Sequence, residues 1–536
     1  MDFPRFDLPP VPLWAIAAAV AAFVLSLMRL ARTRQGWSSF CSQLHRRNKT
    51  NNYLACKFTR DNGCLPPLNT VSYGLFGLGM VRDMLAAARK KTLCEFIRNW
   101  HHIYGTTFKA KMAGRNVIFT VEPRNVQTVL ALKFQDFELG KIRNTALRPL
   151  LGHGIFCTDG SRWENSRALL RPNFVRNQIA DIEVYENHVA KLIKLIPGDD
   201  STVDLQPLFF RMTLDSATDF LFGESVHTLD EVTSHSAASF ANNFNISQEG
   251  LAKRSRLGTL MMFYKDSRFS EAVREARSYV NRFVDKAINY RIQLDSTEVD
   301  VCEEARKISS QRYVFLHELS KRTLDKNELT DQLLNILLAG RDTTASLLST
   351  TFFMLARRPD VWNKLQKEIK ILNGEKPSFG DLKAMKYLTW VLNESLRMYP
   401  VVPINVRMAN KNTYLPIGGG LDGKAPIFVK EGHEIMYSVY TMHRLPEIYG
   451  LDADEYRPER WESLKPGWAY APFNGGPRIC IGQQFALTEA GYAIARILQQ
   501  FDRIENRDPN TFQEAYTLTL ASANGTKVAM TSAKSS

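Results

Sequence analysis

The stretch Phe473–Gly482, which reads FNGGPRICIG, places Cys480 between a glycine-rich turn and an apolar helical pattern. The helix is predicted to begin near Gln483, so its positive N-terminal end would stabilise a thiolate at Cys480. Gly475 and Gly476 allow the backbone to turn tightly over the sulfur. A buried cysteine in an ordinary loop is the alternative interpretation, but it does not account for glycine, arginine and cysteine at these spacings.

A long helical pattern N-terminal to this loop contains polar residues in its middle. Apolar residues recur at helical spacing from Thr330 to Arg357, with Thr330 as the predicted N-cap and Pro359 beyond the end. The central segment Ala339–Thr344 reads AGRDTT. A solvent-facing irregularity is the simpler interpretation, but a glycine, an aspartate and two threonines inside an apolar helix argue against it.

Two further motifs place paired side chains on one helix face. Glu394 and Arg397 lie three residues apart on a helix predicted from about Leu382 to Met398. Trp163 and Arg167 lie four residues apart, so one helical turn aligns the indole and the guanidinium. Each pair alone is a common surface feature.

Together these motifs resemble those of the cytochrome P450 superfamily. The loop matches F-x-x-G-x-R-x-C-x-G, the long helix carries A-G-x-D-T-T, and E-x-x-R is followed by the sequence RPERW at residues 457–461. Trp461 stands where the family usually has phenylalanine. The resemblance covers about Asn116 to Met530. It implies a mainly α-helical fold with small β-sheets, in which haem lies between the long oxygen-binding helix and the helix after the cysteine loop.

The resemblance also implies a haem site. Cys480 would be the axial ligand of the haem iron, because a thiolate ligand favours cleavage of the O–O bond. The other implied haem contacts are Trp163, Arg167, Arg407, Arg478, Phe473 and Gly482. The cofactor would be haem b, with electrons from NADPH delivered by a membrane reductase and a small b-type cytochrome as an additional donor.

Two groups of residues receive other roles from the resemblance. Asp342 and Thr343 would deliver protons during the activation of dioxygen. Glu394, Arg397 and Arg460 would form a buried network that supports the cysteine loop and is costly to break. A surface salt bridge is predicted for Arg341.

Composition narrows the class of protein. The 536 residues include 69 basic and 55 acidic side chains, a formal charge of +14. No nucleic-acid motif accompanies this charge, so we predict a face for anionic lipid or an acidic protein and no nucleic-acid binding.

The seven cysteines are scattered and form no C-x-x-C, which argues against disulfides or zinc. Strand-like residues follow the glycine-rich segment at 418–423, so we predict a hairpin there rather than a dinucleotide site.

The N-terminal region predicts a membrane anchor. Val11–Met28 is uncharged and roughly 18 residues long, the lower limit for crossing a bilayer. Arg29, Arg32 and Arg34 follow it, which predicts a cytosolic body and a single span in the endoplasmic reticulum membrane. A cleaved signal peptide is the alternative, but the residues before the span are acidic on balance and no small-x-small site follows. We therefore divide the chain into an anchor, residues 1–34, and a catalytic domain, residues 35–536.

Within the superfamily the chain resembles the fungal group that hydroxylates n-alkanes and fatty acids at the chain end. The matching segments are 151–156, 220–225, 339–345, 442–444, 472–490 and 518–522. The implied reaction inserts one atom of dioxygen into a terminal aliphatic C–H bond. Apolar residues that could line a narrow channel are Val401, Val402, Ile404 and Leu520 near the haem, with Phe240 and Phe244 further out.

Three alternatives to lipid hydroxylation remain. The first is oxidation of an aliphatic part of a specialised fungal metabolite. The second is a haem-thiolate isomerase or dehydratase that uses no reductase. The third is a haem sensor or carrier without turnover. Dependence on NADPH would separate the last two from a monooxygenase, and product analysis would separate the first from lipid hydroxylation.

Overall fold

The computed structural model describes residues 55–174, 182–230, 234–296 and 313–533. The chain divides into two compact units, residues 1–64 and residues 65–536. In the first unit, residues 55–61 are helical. The predicted membrane helix and the predicted boundary after residue 34 lie outside the described residues. Within the described residues, no helix has both the length and the apolar character that a membrane span requires.

Helices dominate the second unit. Those before the long central helix are α1 (Leu78–Arg89), α2 (Leu93–Tyr104), α3 (Pro123–Gln127), α4 (Lys141–Leu151), α5 (Gly160–Leu170), α6 (Glu183–Lys194), α7 (Leu205–Phe222), α8 (His235–Leu257), α9 (Ser267–Ser296) and α10 (Phe315–Ser320). The others are α11 (Lys326–Leu355), α12 (Pro359–Ile369), α13 (Phe379–Ala384), α14 (Lys386–Met398), α15 (Val439–Met442), α16 (Pro446–Tyr449) and α17 (Gln483–Gln500).

The strands form small sheets. They are β1 (Thr70–Val71), β2 (Thr107–Met112), β3 (Arg115–Thr120), β4 (Phe137–Glu138), β5 (Asp199–Asp204), β6 (Ile404–Ala409), β7 (Thr413–Gly419), β8 (Ala425–Val429), β9 (Glu434–Ser438), β10 (Phe501–Asn506), β11 (Glu514–Tyr516), β12 (Leu520–Ser522) and β13 (Lys527–Ser532). The largest sheet has the order β1-β2-β3-β9-β6-β4, and a second has the order β10-β13-β5. Two further pairs join β11 to β12 and β7 to β8. The predicted combination of helices and small sheets is confirmed.

The long central helix α11 begins earlier than predicted. Asp325 is its N-cap, because its side chain accepts hydrogen bonds from the backbone N–H groups of Asn327 and Glu328. The prediction of Thr330 as the cap is therefore wrong. The Thr330 hydroxyl lies inside the helix and donates to the carbonyl of Lys326 at 2.8 Å. The helix is the centre of the core, with its side chains buried without interruption over residues 329–337.

Two local predictions concern the chain that precedes the cysteine loop. The helix expected from about Leu382 starts at Lys386, because a separate short helix, α13, ends at Ala384. The glycine-rich segment at 418–423 joins β7 to β8, where the N–H of Gly418 donates to the carbonyl of Gly423 at 2.7 Å. The predicted hairpin is confirmed.

Candidate active site

The cysteine loop is a tight turn closed by its own backbone. The N–H of Cys480 donates to the carbonyl of Phe473 at 3.1 Å, and the N–H of Ile479 donates to the carbonyl of Gly476 at 3.0 Å. Gly476 has a φ of +65°, and a Cβ there would lie 1.9 Å from the Leu130 carbonyl oxygen. Only glycine fits this position, so the loop and the segment beneath it are packed backbone against backbone.

The Cys480 side chain lies inside the protein but faces open space. It retains accessible surface although the surrounding protein raises the pKa of its thiol by burial. The N–H of Gly482 and the Arg167 guanidinium act in the opposite direction and lower that pKa. Binding of a metal would replace the thiol proton, since the thiolate is the ligand. A Cβ on Gly482 would lie 3.8 Å from the Phe174 ring, its one near neighbour among the described residues, so the backbone at this glycine is not tightly packed against other groups.

The middle of α11 borders open space as well. Leu338, Ala339, Gly340 and Thr343 are half-buried, in a stretch where the flanking residues are fully buried. Ala339 and Thr343 share one face of the helix, because they lie four residues apart. Helix α11 packs against α17, which follows the cysteine loop. We infer that Cys480 and this face of α11 border one internal space.

Arginines converge on the same region without enough acidic partners. Arg143 of α4 makes no hydrogen bond or ion pair with any described residue, and burial beside Arg407 lowers its pKa. Arg407 is buried and, within the part of the chain that the structure describes, donates only to the neighbouring Val406 carbonyl, at 2.9 Å. Arg478 pairs with Asp159 at 2.7 Å. Burial and the three neighbouring arginines nevertheless lower the pKa of Arg478 to about 10.

This arginine cluster (Arg143, Arg167, Arg407 and Arg478) fits a ligand with two carboxylates. Buried guanidinium groups are costly without anions to pair with, and carboxylates pair with them well. Arg143 was missed by sequence reasoning because no motif contains it, whereas the other three were predicted. Haem carries two propionates, which would supply the missing negative charge.

Trp163 lies at the edge of the arginine cluster. The Arg478 guanidinium lies 4.3 Å from the centre of the Trp163 ring. The indole N–H has no hydrogen-bond acceptor among the described residues and remains available to a propionate. Arg167 donates to the Ile479 carbonyl at 3.0 Å, so it contacts the cysteine loop directly.

A buried carboxylate ties α14 to the chain before the cysteine loop. Arg397 donates to both oxygens of Glu394, at 2.9 and 2.8 Å, and Arg460 donates to Oε1 at 2.9 Å. All three side chains are almost completely buried. The Trp461 indole also donates to Glu394, at 3.0 Å. A phenylalanine at this position could not donate, so the departure from the family pattern adds a hydrogen bond.

His443 links this network to the loop and was not predicted. Its Nδ1 donates to the Arg397 carbonyl at 3.2 Å, and its Nε2 accepts from the N–H of Ala471 at 3.0 Å. Burial and the nearby Arg397 lower the pKa of His443 to about 3, so the ring is neutral and can make both hydrogen bonds. No sequence signal identifies this link, because its partners are distant backbone groups.

The structure does not bring Asp342 and Thr343 together. The Thr343 hydroxyl donates to the Ala339 carbonyl at 2.6 Å, whereas Asp342 is buried against Arg341 at 3.1 Å. The predicted surface salt bridge of Arg341 is therefore wrong. Arg341 is buried because Phe210 of α7 and Phe244 of α8 cover its side of the helix.

Comparison with known proteins identifies the family. The family model of cytochrome P450 matches residues 75–527. The chain belongs to the cytochrome P450 family. It is 46% identical to "Cytochrome P450 monooxygenase himC" of Aspergillus japonicus, over 85% of this chain and 81% of that protein. It is 44% identical to "Cytochrome P450 52A13" of Debaryomyces hansenii, over 88% of this chain and 93% of that protein. It is 46% identical to "Cytochrome P450 52A3-A" of Candida maltosa, over 83% of this chain and 87% of that protein.

The predicted resemblance to the P450 superfamily and its fungal hydroxylases is thereby confirmed, and the chain is an oxidoreductase of the P450 monooxygenase family. Proteins of this family bind haem through a cysteine thiolate. In this P450 the fit is good: Cys480 would hold the iron, and the arginine cluster with Trp163 would hold the propionates.

We predict that the arginine cluster retains haem. Arg143→Gln removes one donor to a propionate, and a hydrogen bond between charged groups is worth roughly 1.5–3 kcal/mol. Haem dissociation to an acceptor protein should therefore be about ten to a hundred times faster. Arg148→Gln, at an exposed position on the same helix, is the matched control and should leave haem loss unchanged. Equal haem retention in both variants would contradict the assignment.

We also predict a pH-dependent stability that originates at Glu489. Burial raises the pKa of this carboxyl from 4.5 to about 7, although the nearby Ser216 and Thr344 act in the opposite direction. Between these pH values the folded protein keeps a proton that the unfolded chain releases, so the stabilising free energy falls as pH rises. Glu489→Gln removes this dependence. Relative to the parent, the variant's free energy of unfolding should increase by roughly 3 kcal/mol between pH 5 and pH 8. This change is followed by comparing the melting temperatures of the two proteins across that pH range. A constant difference across that range would contradict the prediction.

Proposed function

We propose that this P450 is a membrane-bound haem-thiolate monooxygenase that hydroxylates the terminal carbon of a fatty acid or an alkane. The observation that carries the proposal is the accessible surface of Cys480 and of the half-buried face of α11, together with the under-compensated arginine cluster. The sequence resemblance to fungal terminal hydroxylases supports the substrate class. When bound, haem supplies the activation of dioxygen and the abstraction of hydrogen from carbon.

Terminal selectivity requires a rigid wall. A terminal C–H bond is stronger than the internal ones beside it, so an unconstrained chain would react internally. The N–H of Leu520 donates to the Val401 carbonyl at 2.9 Å, and the Ser346 hydroxyl donates to the Leu520 carbonyl. Ser346 lies three residues after Thr343 on α11. These contacts fix the segment that carries Val401 against the helix.

The apolar residues predicted to line the channel differ in what they contact. Val402 and Ile404 are half-buried and keep surface that can face a substrate. Phe240 is buried against Tyr279, with the ring centres 4.1 Å apart, and Phe244 is fully buried. The two phenylalanines therefore serve as packing behind the wall. A wall of branched aliphatic side chains selects by shape, so chain length should be tolerated loosely.

The test is product analysis with the full-length protein, a purified NADPH-dependent reductase and a panel of alkanes, fatty acids and branched analogues. We expect NADPH-dependent hydroxylation at the terminal carbon and a weaker reaction with branched chain ends. Mainly internal hydroxylation would contradict the terminal assignment. Turnover of no simple lipid would favour a specialised metabolite as substrate, and product without NADPH would favour an isomerase or dehydratase.

A control variant tests the haem ligand separately from the substrate. The reduced parent protein with carbon monoxide should show the red-shifted absorption of thiolate ligation. Cys480→Ala should lose that absorption, whereas Cys157→Ala, at another buried cysteine, should keep it. Retention of the band and of full activity in Cys480→Ala would remove the basis of the proposal.

The proposal includes an acidic electron donor. P450s of this kind take electrons from a redox partner, here proposed to be NADPH–cytochrome reductase with a b-type cytochrome as an additional donor. Arg171 is exposed at the end of α5 and lies close enough to lower the pKa of Arg167, which contacts the cysteine loop. A cationic surface next to the ligand loop suits an acidic partner.

The membrane proposal rests on exposed apolar side chains. Leu75 and Phe76 lie before α1, and Leu260, Met262 and Phe263 follow α8. Each of these five residues exposes at least 60% of its surface, which is costly in water when the residues are clustered.

Both apolar stretches meet the hairpin formed by β2 and β3. The Lys111 ammonium lies 5.8 Å from the centre of the Phe76 ring, and Arg115 approaches Gly258 at the end of α8. Apolar side chains flanked by cations suit a surface of anionic phospholipid. We therefore propose that this face rests on the endoplasmic reticulum membrane.

The membrane face predicts residual binding after the anchor is removed. A protein lacking residues 1–34 should still bind vesicles that contain anionic phospholipid. Replacing Leu260, Met262 and Phe263 by serine in that protein should weaken vesicle binding at least tenfold, because each buried apolar side chain contributes roughly 1.5–3 kcal/mol. Serine at the exposed residues Ile371 and Leu451 is the matched control. Equal binding of both variants would exclude this face.

A further inference from the structure

The carboxylate predicted to deliver protons is held away from the internal space. Asp342 is 3% exposed, whereas Thr343, the next residue, is half-buried and faces that space. Successive side chains of a helix project about 100° apart, so the two residues face different neighbours. Asp342 must change its side-chain position before its carboxylate can reach the Thr343 hydroxyl.

Three side chains form a closed ring that holds Asp342. Arg341 Nη1 donates to Asp342 Oδ1 at 3.1 Å and to the side-chain oxygen of Gln248 at 3.0 Å. The Gln248 amide nitrogen donates to the Asp342 carboxylate. Gln248 belongs to α8, whereas the other two residues are neighbours on α11. The ring therefore joins two helices at the residue that would deliver protons.

Among the described residues, Asp342 has no charged partner besides Arg341. The Phe210 and Phe244 rings lie 5.2 and 5.8 Å from the Arg341 guanidinium. Arg341 Nε has no hydrogen-bond partner among the described residues. Burial raises the pKa of Asp342, while the charge of Arg341 opposes that rise. A buried ion pair of this kind contributes little to stability, so a positional role explains it better.

We propose that Gln248 is a positioning residue that controls when Asp342 can deliver protons. The proposal rests on the monooxygenase function above. In the observed position Gln248 and Arg341 hold the carboxylate. In the released position Asp342 accepts a proton from water and passes it to the Thr343 hydroxyl, which passes its own proton on. Because Gln248 lies on α8, a shift of that helix changes the fraction of Asp342 that is released.

The test compares the parent with Gln248→Met, which keeps the side-chain length and removes the amide. Loss of a hydrogen bond to a charged group shifts the balance between held and released Asp342 roughly ten- to hundredfold towards release. We expect the solvent deuterium isotope effect on product formation to fall towards one, and NADPH oxidation without substrate to rise. Independently of turnover, amide hydrogen exchange over residues 339–346 should become faster in the substrate-free protein.

A matched control separates positioning from packing. Gln332 is another buried glutamine of α11, whose amide donates to the Ser166 hydroxyl at 2.7 Å. Gln332→Met should cost similar stability but leave the isotope effect and the exchange over 339–346 unchanged. Equal changes in both variants, or no change in Gln248→Met, would overturn the proposal.

Two further outcomes separate a failure of this proposal from a variant that does not fold and from a failure of the proposed function. If Gln248→Met does not fold, Gln248→Glu keeps the shape and places a second carboxylate beside Arg341, so it should release Asp342 in the same direction. An unchanged isotope effect and unchanged exchange in Gln248→Glu would also overturn the proposal. If the parent forms no NADPH-dependent product, the proposed function fails, whereas the hydrogen-exchange comparison still decides whether Gln248 holds Asp342.

Discussion

The carboxylate of Glu394 is the constraint on which the active site depends. It is buried with Arg397 and Arg460 and accepts from the Trp461 indole as well. Removing the Glu394 carboxylate would leave two buried guanidinium groups without their shared partner, which is far more costly than the network itself is stabilising. Arg397 also donates to the His443 carbonyl at 2.9 Å. The geometry of α14 is thus transmitted through hydrogen bonds to the chain that enters the cysteine loop.

The arginines on the two sides of the internal space are paired with carboxylates to different extents. On the side of the cysteine loop, Arg143, Arg407 and Arg478 outnumber their single pairing carboxylate, Asp159. On the α11 side, Arg341 and Asp342 neutralise each other. The first arrangement is costly until an anionic ligand binds, so ligand and protein should stabilise each other. The Arg341–Asp342 pair needs no added ligand to compensate its charges. The position of its carboxylate can therefore change at little cost in free energy.

The sequence predicted the elements whose spacing is local. The cysteine loop, the pairing of Glu394 with Arg397 and most of α11 depend on residues close together in the chain. Even here Asp325 rather than Thr330 caps the helix, since both residue types favour that position. At Gly340 a Cβ would lie 3.6 Å from that of Ala217, an ordinary van der Waals contact, so the packing of α7 against α11 does not itself require a glycine there.

The residues that escaped prediction act across the fold. No predicted site motif includes Arg143 or His443, and their roles follow from groups on other elements of the fold. The adjacency of Asp342 and Thr343 suggested a working pair, yet the helix turns them to different neighbours, and only tertiary structure shows that Arg341 and Gln248 hold the acid. A motif can therefore identify which residues transfer protons, while α8 determines when the Asp342 carboxylate can reach the Thr343 hydroxyl. In this P450 that information lies in α8.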